Sequence, residues 1–303
     1  MSERTLRTAG RPVEVSKADK VLFPAEGFTK GDIAEYYREV GHTVVRYTRE
    51  RPLAAERYPD GITGQRIFQQ NVSEHAPDWI RRFSAPKKEG GVTVHVVCDE
   101  PATLVYLSDQ ACLTPHVWLS RVDALDFPDR LIFDLDPEGN DLETLREAAR
   151  STRDLLDELT LPSFVMTTGS RGFHVLAPLR RHENFDEVRD FAGQVAAVLA
   201  ERKPETLTVQ QRKEKRGNRV FVDYLRNAYG QTTVAPYSVR ARPGAPVATP
   251  LGWDELPEVT PWDFTVRDIP TRLRDHGDPW SDLGNRAHSL SRARNLLEHL
   301  RTA

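Results

Sequence analysis

Between residues 131 and 223 the chain alternates short apolar runs with amphipathic stretches, and that order restricts what it can fold into. LIFDL (131–135) is apolar and runs into acids, which suits a buried strand. DLETLREAARSTRDLLDEL (141–159) repeats apolar residues at helical spacing, with Asp141 near its start. SFVMT (163–167), a glycine-containing turn and GFHVLA (172–177) read as a hairpin, and a second helix is expected over 185–201, closed by Pro204. RVFVD (219–223) completes the series. Strand–helix–hairpin–helix–strand predicts an α/β (α+β) fold with one mixed sheet backed by helices. Outside this stretch, Thr29 caps a helix predicted over 30–47, and VTVHVVC (92–98) and TLVYL (103–107) read as strands. A strand- and proline-rich tail (234–263) leads to a last helix at about 284–301.

At ~150 residues per domain, 303 residues suggest two domains. No linker-like tract separates them, so one unit with two lobes is expected. Charged residues are 29% and hydrophobic ones 39%, the balance of a soluble globular chain. No run approaches the ~18 apolar residues of a membrane span, and MSERTLRTAGRPVEV has no signal-peptide apolar region. Cys98 and Cys112 are the only cysteines, so a disulfide framework and a cysteine zinc site are poorly supported and a reducing cytoplasm is expected.

A net charge of -3 argues, by itself, against nucleic acid. Its distribution argues otherwise. Residues 202–242 hold ten Lys/Arg against three acids, whereas 251–283 hold eight acids against three Arg. The basic stretch predicts a phosphate-binding face or an ordinary solvated surface.

Asp134 and Asp136 are two apart at a strand end, so their side chains share a face. Two carboxylates so placed call for a counter-cation, and oxygen-loving Mg²⁺ or Mn²⁺ is the common one; a pair of solvated loop acids is the alternative. Asp223 ends another apolar strand and would make a third carboxylate of a two-metal phosphoryl-transfer site. DLDPEG also resembles the first motif of haloacid-dehalogenase-type phosphatases, but Pro137 and Glu138 stand where that motif has Gly and Thr. In TTGSRGFHVLAP (167–178), Gly169 and Gly172 permit close backbone approach, Thr168 and Ser170 add hydroxyls, Arg171 adds charge, and Ser170 and His174 share a face. The turn fits a phosphate cradle or a plain hairpin with a core histidine; a serine hydrolase lacks its G-x-S-x-G elbow here.

DLD (134–136), SRGFH (170–174) and VDY (222–224), in this order, resemble the three catalytic motifs of archaeo-eukaryotic primase-type polymerases. The whole chain is similar to the polymerase module of bacterial ligase D, through DKVLFPAEGFTKGDIAEYY (19–37), RYPDG (57–61), HAPDW (75–79), PHVWLSR (115–121), PDRLIFDLDP (128–137) and FVDYLRNAYGQTTVAPYSVRARPGAPVATPL (221–251). The resemblance implies a primase-polymerase fold: an RRM-like catalytic sheet, over about 116–303, joined to an N-terminal α/β lobe, over about 1–115. With no ligase or phosphoesterase module following, it suggests a stand-alone form. It implies a metal-dependent nucleotidyltransferase that extends 3′-hydroxyl ends and fills gaps in non-homologous end joining, with Mn²⁺ or Mg²⁺ and a leaning toward ribonucleotides.

By position, the resemblance makes Asp134, Asp136 and Asp223 the catalytic metal ligands. It makes His116, Thr168, Ser170, Arg171, Gly172, His174, Arg226, Arg240 and Phe68 the nucleotide contacts. Lys20 and Lys30 would hold the 5′-phosphate of a downstream strand. Implied partners are gapped or broken DNA, NTP or dNTP, a Ku-like protein and a separate DNA ligase, at the bacterial nucleoid and not at a membrane. Two positions depart from the pattern: Glu56 and Gln70 stand where lysines are common. They keep open a DNA-end-binding scaffold with vestigial catalysis; a primase that starts chains unaided is a further alternative, which a zinc module would favour and for which none is visible.

Overall fold

The computed structural model describes residues 2–8, 10–139 and 141–302. The chain divides into two compact units, one of Met1–Asp123, Thr232–Thr249 and Trp262–Asp278, the other of Ala124–Gln231, Pro250–Pro261 and Pro279–Ala303. The division corrects the expected boundary near residue 115: two late segments return to the N-terminal unit. Hydrogen bonds from distant positions hold them there: Tyr37 accepts from the Val239 amide, and Tyr47 donates to Asp278 Oδ2 at 2.6 Å. Among the described residues no helix is long and apolar enough to cross a membrane.

The first unit opens with two antiparallel pairs, β1 (Glu3–Thr8) with β2 (Arg11–Ser16) and β3 (Val21–Phe23) with β4 (Phe28–Thr29). Helix α1 (Lys30–Thr48) follows, started by a reciprocal capping box between Thr29 and Asp32. Its buried face includes Ile33, Tyr37, Val40 and Val44. The sheet is built from β5 (Pro52–Arg57), β6 (Ile67–Gln69), β7 (Arg82–Pro86), β8 (Val92–Val97), β9 (Cys112–Trp118) and, from the late segment, β15 (Thr232–Val234). Its order is β15-β9-β5-β8-β7, with β6 paired to β5.

The strand expected over 103–107 is instead helix α2 (Pro101–Asp109). Residues 101–108 are all buried, so no polar stripe reveals the 3.6-residue period. Pro101 at the first turn begins the helix, and Gly41 lets α1 approach it: a Cβ there would lie 2.8 Å from the Pro101 Cβ. The late segment also carries α5 (Ile269–His276).

The second unit matches the predicted order more closely. It comprises β10 (Arg130–Pro137), α3 (Leu142–Glu158), β11 (Phe164–Thr167), β12 (Phe173–Pro178), α4 (Phe185–Arg202), β13 (Leu207–Thr208), β14 (Val220–Asp223), β16 (Pro250–Leu251) and α6 (Ser291–Thr302). Asp141 caps α3 through the Glu143 and Thr144 amides, and Asn184 and Glu187 form the capping box of α4. The sheet order is β13-β14-β10-β12-β11-β16, antiparallel except for β13 beside β14. Leu131, Phe133 and Leu135 of β10 are fully buried, which fixes the face on which Asp134 and Asp136 must emerge. The tail expected to be strand-rich over 234–263 contributes only Val234 at the end of β15, β16 and isolated bridges such as Val239 with Val247.

Candidate active site

Strand register assembles the acids. Asp134 of β10 is directly opposite His174 on β12 and directly opposite Asp223 on β14. The three residues form a row across neighbouring antiparallel strands, and directly opposed side chains share a face. Asp136, two residues along β10, is on that face beside Phe221. His174 Nε2 is 3.4 Å from Asp134 Oδ1, and His174 Nδ1 is buried with no protein partner.

Each carboxylate is set in mixed surroundings. Burial raises the pKa of Asp136; the Asp134 and Glu138 charges add to this, while Arg171 and Arg216 oppose it. Burial likewise raises Asp223, with Asp134 adding and the Leu225 amide and Arg226 opposing. Arg171 bonds Asp136 at 2.9 Å. Arg226 is 3.6 Å from Asp223. No three His, Cys, Asp or Glu among the described residues converge as a ready-made metal cage. Asp136 pairs with Arg171 and lies near Arg216, and Asp223 lies near Arg226, contacts that offset the mutual repulsion of the carboxylates.

Arg216 was not singled out from sequence, where it was one of ten basic residues in a run. It is buried, stacks at 4.0 Å on Phe221, bonds Glu138 at 2.6 Å and lies 3.6 Å from Asp136. Its other nitrogens donate to the Gln210 and Gln211 carbonyls. Asn227 was also missed. Its side-chain amide accepts from the Ile132 amide and donates to the Ile132 carbonyl, continuing the β10 ladder past the end of β14.

The turn between β11 and β12 is organised by Thr168. Its hydroxyl accepts from the Ser170 and Gly172 amides and is 3.0 Å from the Gly172 carbonyl. Gly169 has φ +62°. At Gly172 a Cβ would lie 2.1 Å from the Leu135 carbonyl, so the turn reaches the DxD strand only because that position carries no side chain. Ser170 is partly exposed and Arg171 is exposed. Thr168 is buried and spent on the turn itself.

His116, Phe68 and Arg240 belong to the first unit. Phe68 is 40% exposed, directly opposite Glu56 in the β5–β6 pair, and meets His116 edge-to-face at 5.4 Å. Glu56 takes His116 Nε2 at 2.9 Å, the Tyr58 hydroxyl at 3.0 Å and Arg66 at 2.6 Å. Arg240 is close enough to act electrostatically on both Glu56 and His116. The two lysines differ sharply. Lys20 is partly exposed and pairs with the exposed Asp60 at 2.9 Å. Lys30 is 5% exposed and its ammonium is consumed by Asp109 Oδ1 at 2.8 Å, the Asp109 carbonyl at 3.0 Å and the Ser16 hydroxyl at 3.1 Å. The phosphate-binding role expected for Lys30 therefore meets a side chain already engaged.

The basic segment is less exposed as charge than its count suggests. Arg202 pairs with Glu158 and Lys203 with Glu147, while Arg212, Lys213 and Lys215 remain exposed around a 3-10 turn.

A family model described as LigD, primase-polymerase domain, matches residues 29–280. The multifunctional non-homologous end joining protein LigD of Pseudomonas aeruginosa is 33% identical over 291 residues, covering 95% of this chain and 34% of that protein. The multifunctional non-homologous end joining DNA repair protein LigD of Mycobacterium tuberculosis is 34% identical over 275 residues, covering 88% and 36%. The chain thus spans about a third of the length of these curated relatives. The polymerase domain of Mycobacterium tuberculosis ligase D, solved in complex with DNA, matches with a TM-score of 0.85 and 34% identity, covering 91% of this chain and 99% of that one. The expected α/β fold class is the one this match carries.

Proposed function

Because the chain belongs to the LigD primase-polymerase domain family, we propose that it is a metal-dependent nucleotidyltransferase that extends 3′-hydroxyl ends and fills gaps during double-strand-break repair by non-homologous end joining. The observation that carries this reading is the row His174–Asp134–Asp223, with Asp136 on the same face of the sheet. Asp134, Asp136 and Asp223 would hold two divalent ions, Mn²⁺ or Mg²⁺. They fit such ions: all are oxygen donors on one face, and burial together with the neighbouring acids raises the pKa of Asp136 and Asp223, a charge problem that cations relieve. When bound, the ions lower the pKa of the attacking 3′-hydroxyl and neutralise the departing pyrophosphate.

The chain's own residues supply the rest. Asp136 would hold an ion in place of its contacts with Arg171 and Arg216, and Arg171, exposed beside it, would then be available to phosphate oxygens. The Thr168-braced turn presents Ser170 and its backbone, with His174 beside Asp134. The exposed ring of Phe68 stacks on a base, worth ~1–3 kcal/mol. Lys20 binds the 5′-phosphate of a downstream strand, and Lys30 joins it only by leaving Asp109. Arg212, Lys213 and Lys215 contribute salt-dependent backbone contacts. A Ku-like protein and a DNA ligase are the partners expected at the break, in the cytoplasm at the nucleoid.

The test is extension of a primer on a gapped duplex with a recessed 5′-phosphate, comparing NTPs with dNTPs under Mn²⁺ and Mg²⁺. Extension by wild type, lost in Asp134→Ala/Asp136→Ala, is expected; no extension by wild type overturns the reading. The engagement of Asp136 by Arg171 and Arg216 favours a second reading, a DNA-end-binding scaffold. That reading requires equal end binding in EDTA and no turnover.

A further inference from the structure

We propose that Glu56 is a positioning residue that fixes His116 as a hydrogen-bond acceptor, so that His116 takes a sugar hydroxyl of the nucleotide and not a phosphate oxygen. The inference rests on the nucleotide-binding reading above and deepens it.

Register brings the groups together. Glu56 is opposite Thr114 in the β5–β9 pair, and His116 is two residues further along β9. Glu56 and His116 therefore share a face, as do Glu56 and Phe68 across the β5–β6 pair. Phe68, Glu56 and His116 form a row on one face of the first unit's sheet. The Glu56 side chain is 8% exposed and all its contacts are donors: Arg66, Tyr58 and the Nε2 of His116. Burial raises its proton affinity, but the hydrogen bond from His116 and the charges nearby outweigh this and bring its pKa to about 2. An ionised carboxylate only accepts, so the 2.9 Å contact puts the proton on Nε2.

The other ring nitrogen follows. A second proton on the imidazole is opposed by burial and by Arg240 and Arg66, although Glu56 favours it; the net shift of the His116 pKa is downward. The ring is then neutral, and its Nδ1 carries a lone pair. A lone pair accepts from a hydroxyl, whereas it repels the lone pairs of an ionised phosphate oxygen. The His116 side chain keeps 14% of its surface exposed, beside the exposed ring of Phe68. An aromatic surface next to a hydrogen-bond acceptor matches a nucleoside, with its base on the ring and a sugar hydroxyl at the nitrogen.

Two measurements test this. In protein labelled with ¹⁵N-histidine, long-range ¹H–¹⁵N spectra at pH 7 should show His116 protonated at Nε2 alone. Glu56→Leu should lose that tautomer preference, and Glu56→Gln, which keeps an acceptor, should retain it. A wild-type His116 protonated at Nδ1, or at both nitrogens, overturns the proposal. Equilibrium binding of ATP, 2′-deoxyATP and 3′-deoxyATP in Mn²⁺ reads the second half. At least one deoxynucleotide should bind wild type about three- to tenfold more weakly than ATP. The difference should vanish in His116→Ala and Glu56→Leu and persist in Glu56→Gln. Equal affinity of wild type for all three refutes the hydroxyl contact while leaving the polymerase reading intact. A wild type that binds none overturns both, and the nitrogen spectra still judge the tautomer.

Discussion

Asp134 stands directly opposite Asp223 across the antiparallel β10–β14 pair. Facing positions in such a ladder hold their Cβ atoms within ~5.5 Å, where like charges destabilise the sheet. Their mutual repulsion makes the fold less stable wherever no cation shields them.

The linkage sign for Asp223 is therefore unfavourable to the apo fold at neutral pH. Its folded pKa is raised above 3.8, so folding favours the protonated form, and stability falls as pH rises from 3.8 through the folded value. Asp223→Asn should raise the melting temperature in EDTA at pH 7, by about 2–4 °C if ~1 kcal/mol is recovered, and abolish primer extension. Thermal melts with and without Mn²⁺ check it: wild type should gain from the ion and the variant should not.

Gly172→Ala should impair stability and activity together. Its Cβ would meet the Leu135 carbonyl at 2.1 Å, and backbone cannot rotate out of the way. A cost of ~1–3 kcal/mol is expected from overpacking. Urea unfolding and primer extension measure it, and Gly217→Ala, whose Cβ meets nothing within 4 Å at a positive φ, serves as the comparison for strain without contact.

The two lysines should separate. Lys30→Ala removes the cation from Asp109, whose side chain is 14% exposed and keeps the Ser16 amide as a donor, and should cost ~1–3 kcal/mol of stability. Lys20→Ala should stay within ~0.5 kcal/mol and weaken binding to 5′-phosphorylated gaps more than to 5′-hydroxyl gaps. Denaturation curves and binding to the paired substrates distinguish the outcomes.

Asn227→Leu should strand the Ile132 amide and carbonyl, both buried, at ~1–3 kcal/mol for each unmet group. Because Asn227 ties the chain just beyond Asp223 to β10, primer extension should fall more than stability predicts. Amide exchange at Ile132, faster in the variant, is the local readout.

Glu56 gives the opposite pH behaviour to Asp223. Its folded pKa is lowered from 4.5 to about 2, so its contribution to stability is complete above 4.5 and is lost as pH falls toward 2. Wild type should lose more stability than Glu56→Gln over that window, measured by urea unfolding at stepped pH.

The second unit was legible because its signals are local. Apolar runs of strand length, two amphipathic helices, Asp141 at the start of one and Pro204 past the end of the other each declare themselves within a few residues, and the spacing of Asp134 and Asp136 states a shared face. The segment 103–107 reads as a strand in sequence because a helix buried on every side has no polar face to betray its period. Arg216 and Asn227 escaped notice because their importance lies in partners 78 and 95 positions away, which no spacing rule reaches.

Sequence alone determined the class of fold, the identity of the three acids and the glycine turn that lies between Asp136 and Asp223, since these depend on periodicity and on residue type. Tertiary structure decided the rest. Strand register set Asp134 against Asp223 and His174, while folding returned residues 232–249 and 262–278 to the N-terminal unit, buried Lys30 on Asp109 and turned Glu56 toward His116. Register, burial and counter-charge are properties of neighbours in space, and a carboxylate or an ammonium acquires its chemistry only when those neighbours are in place.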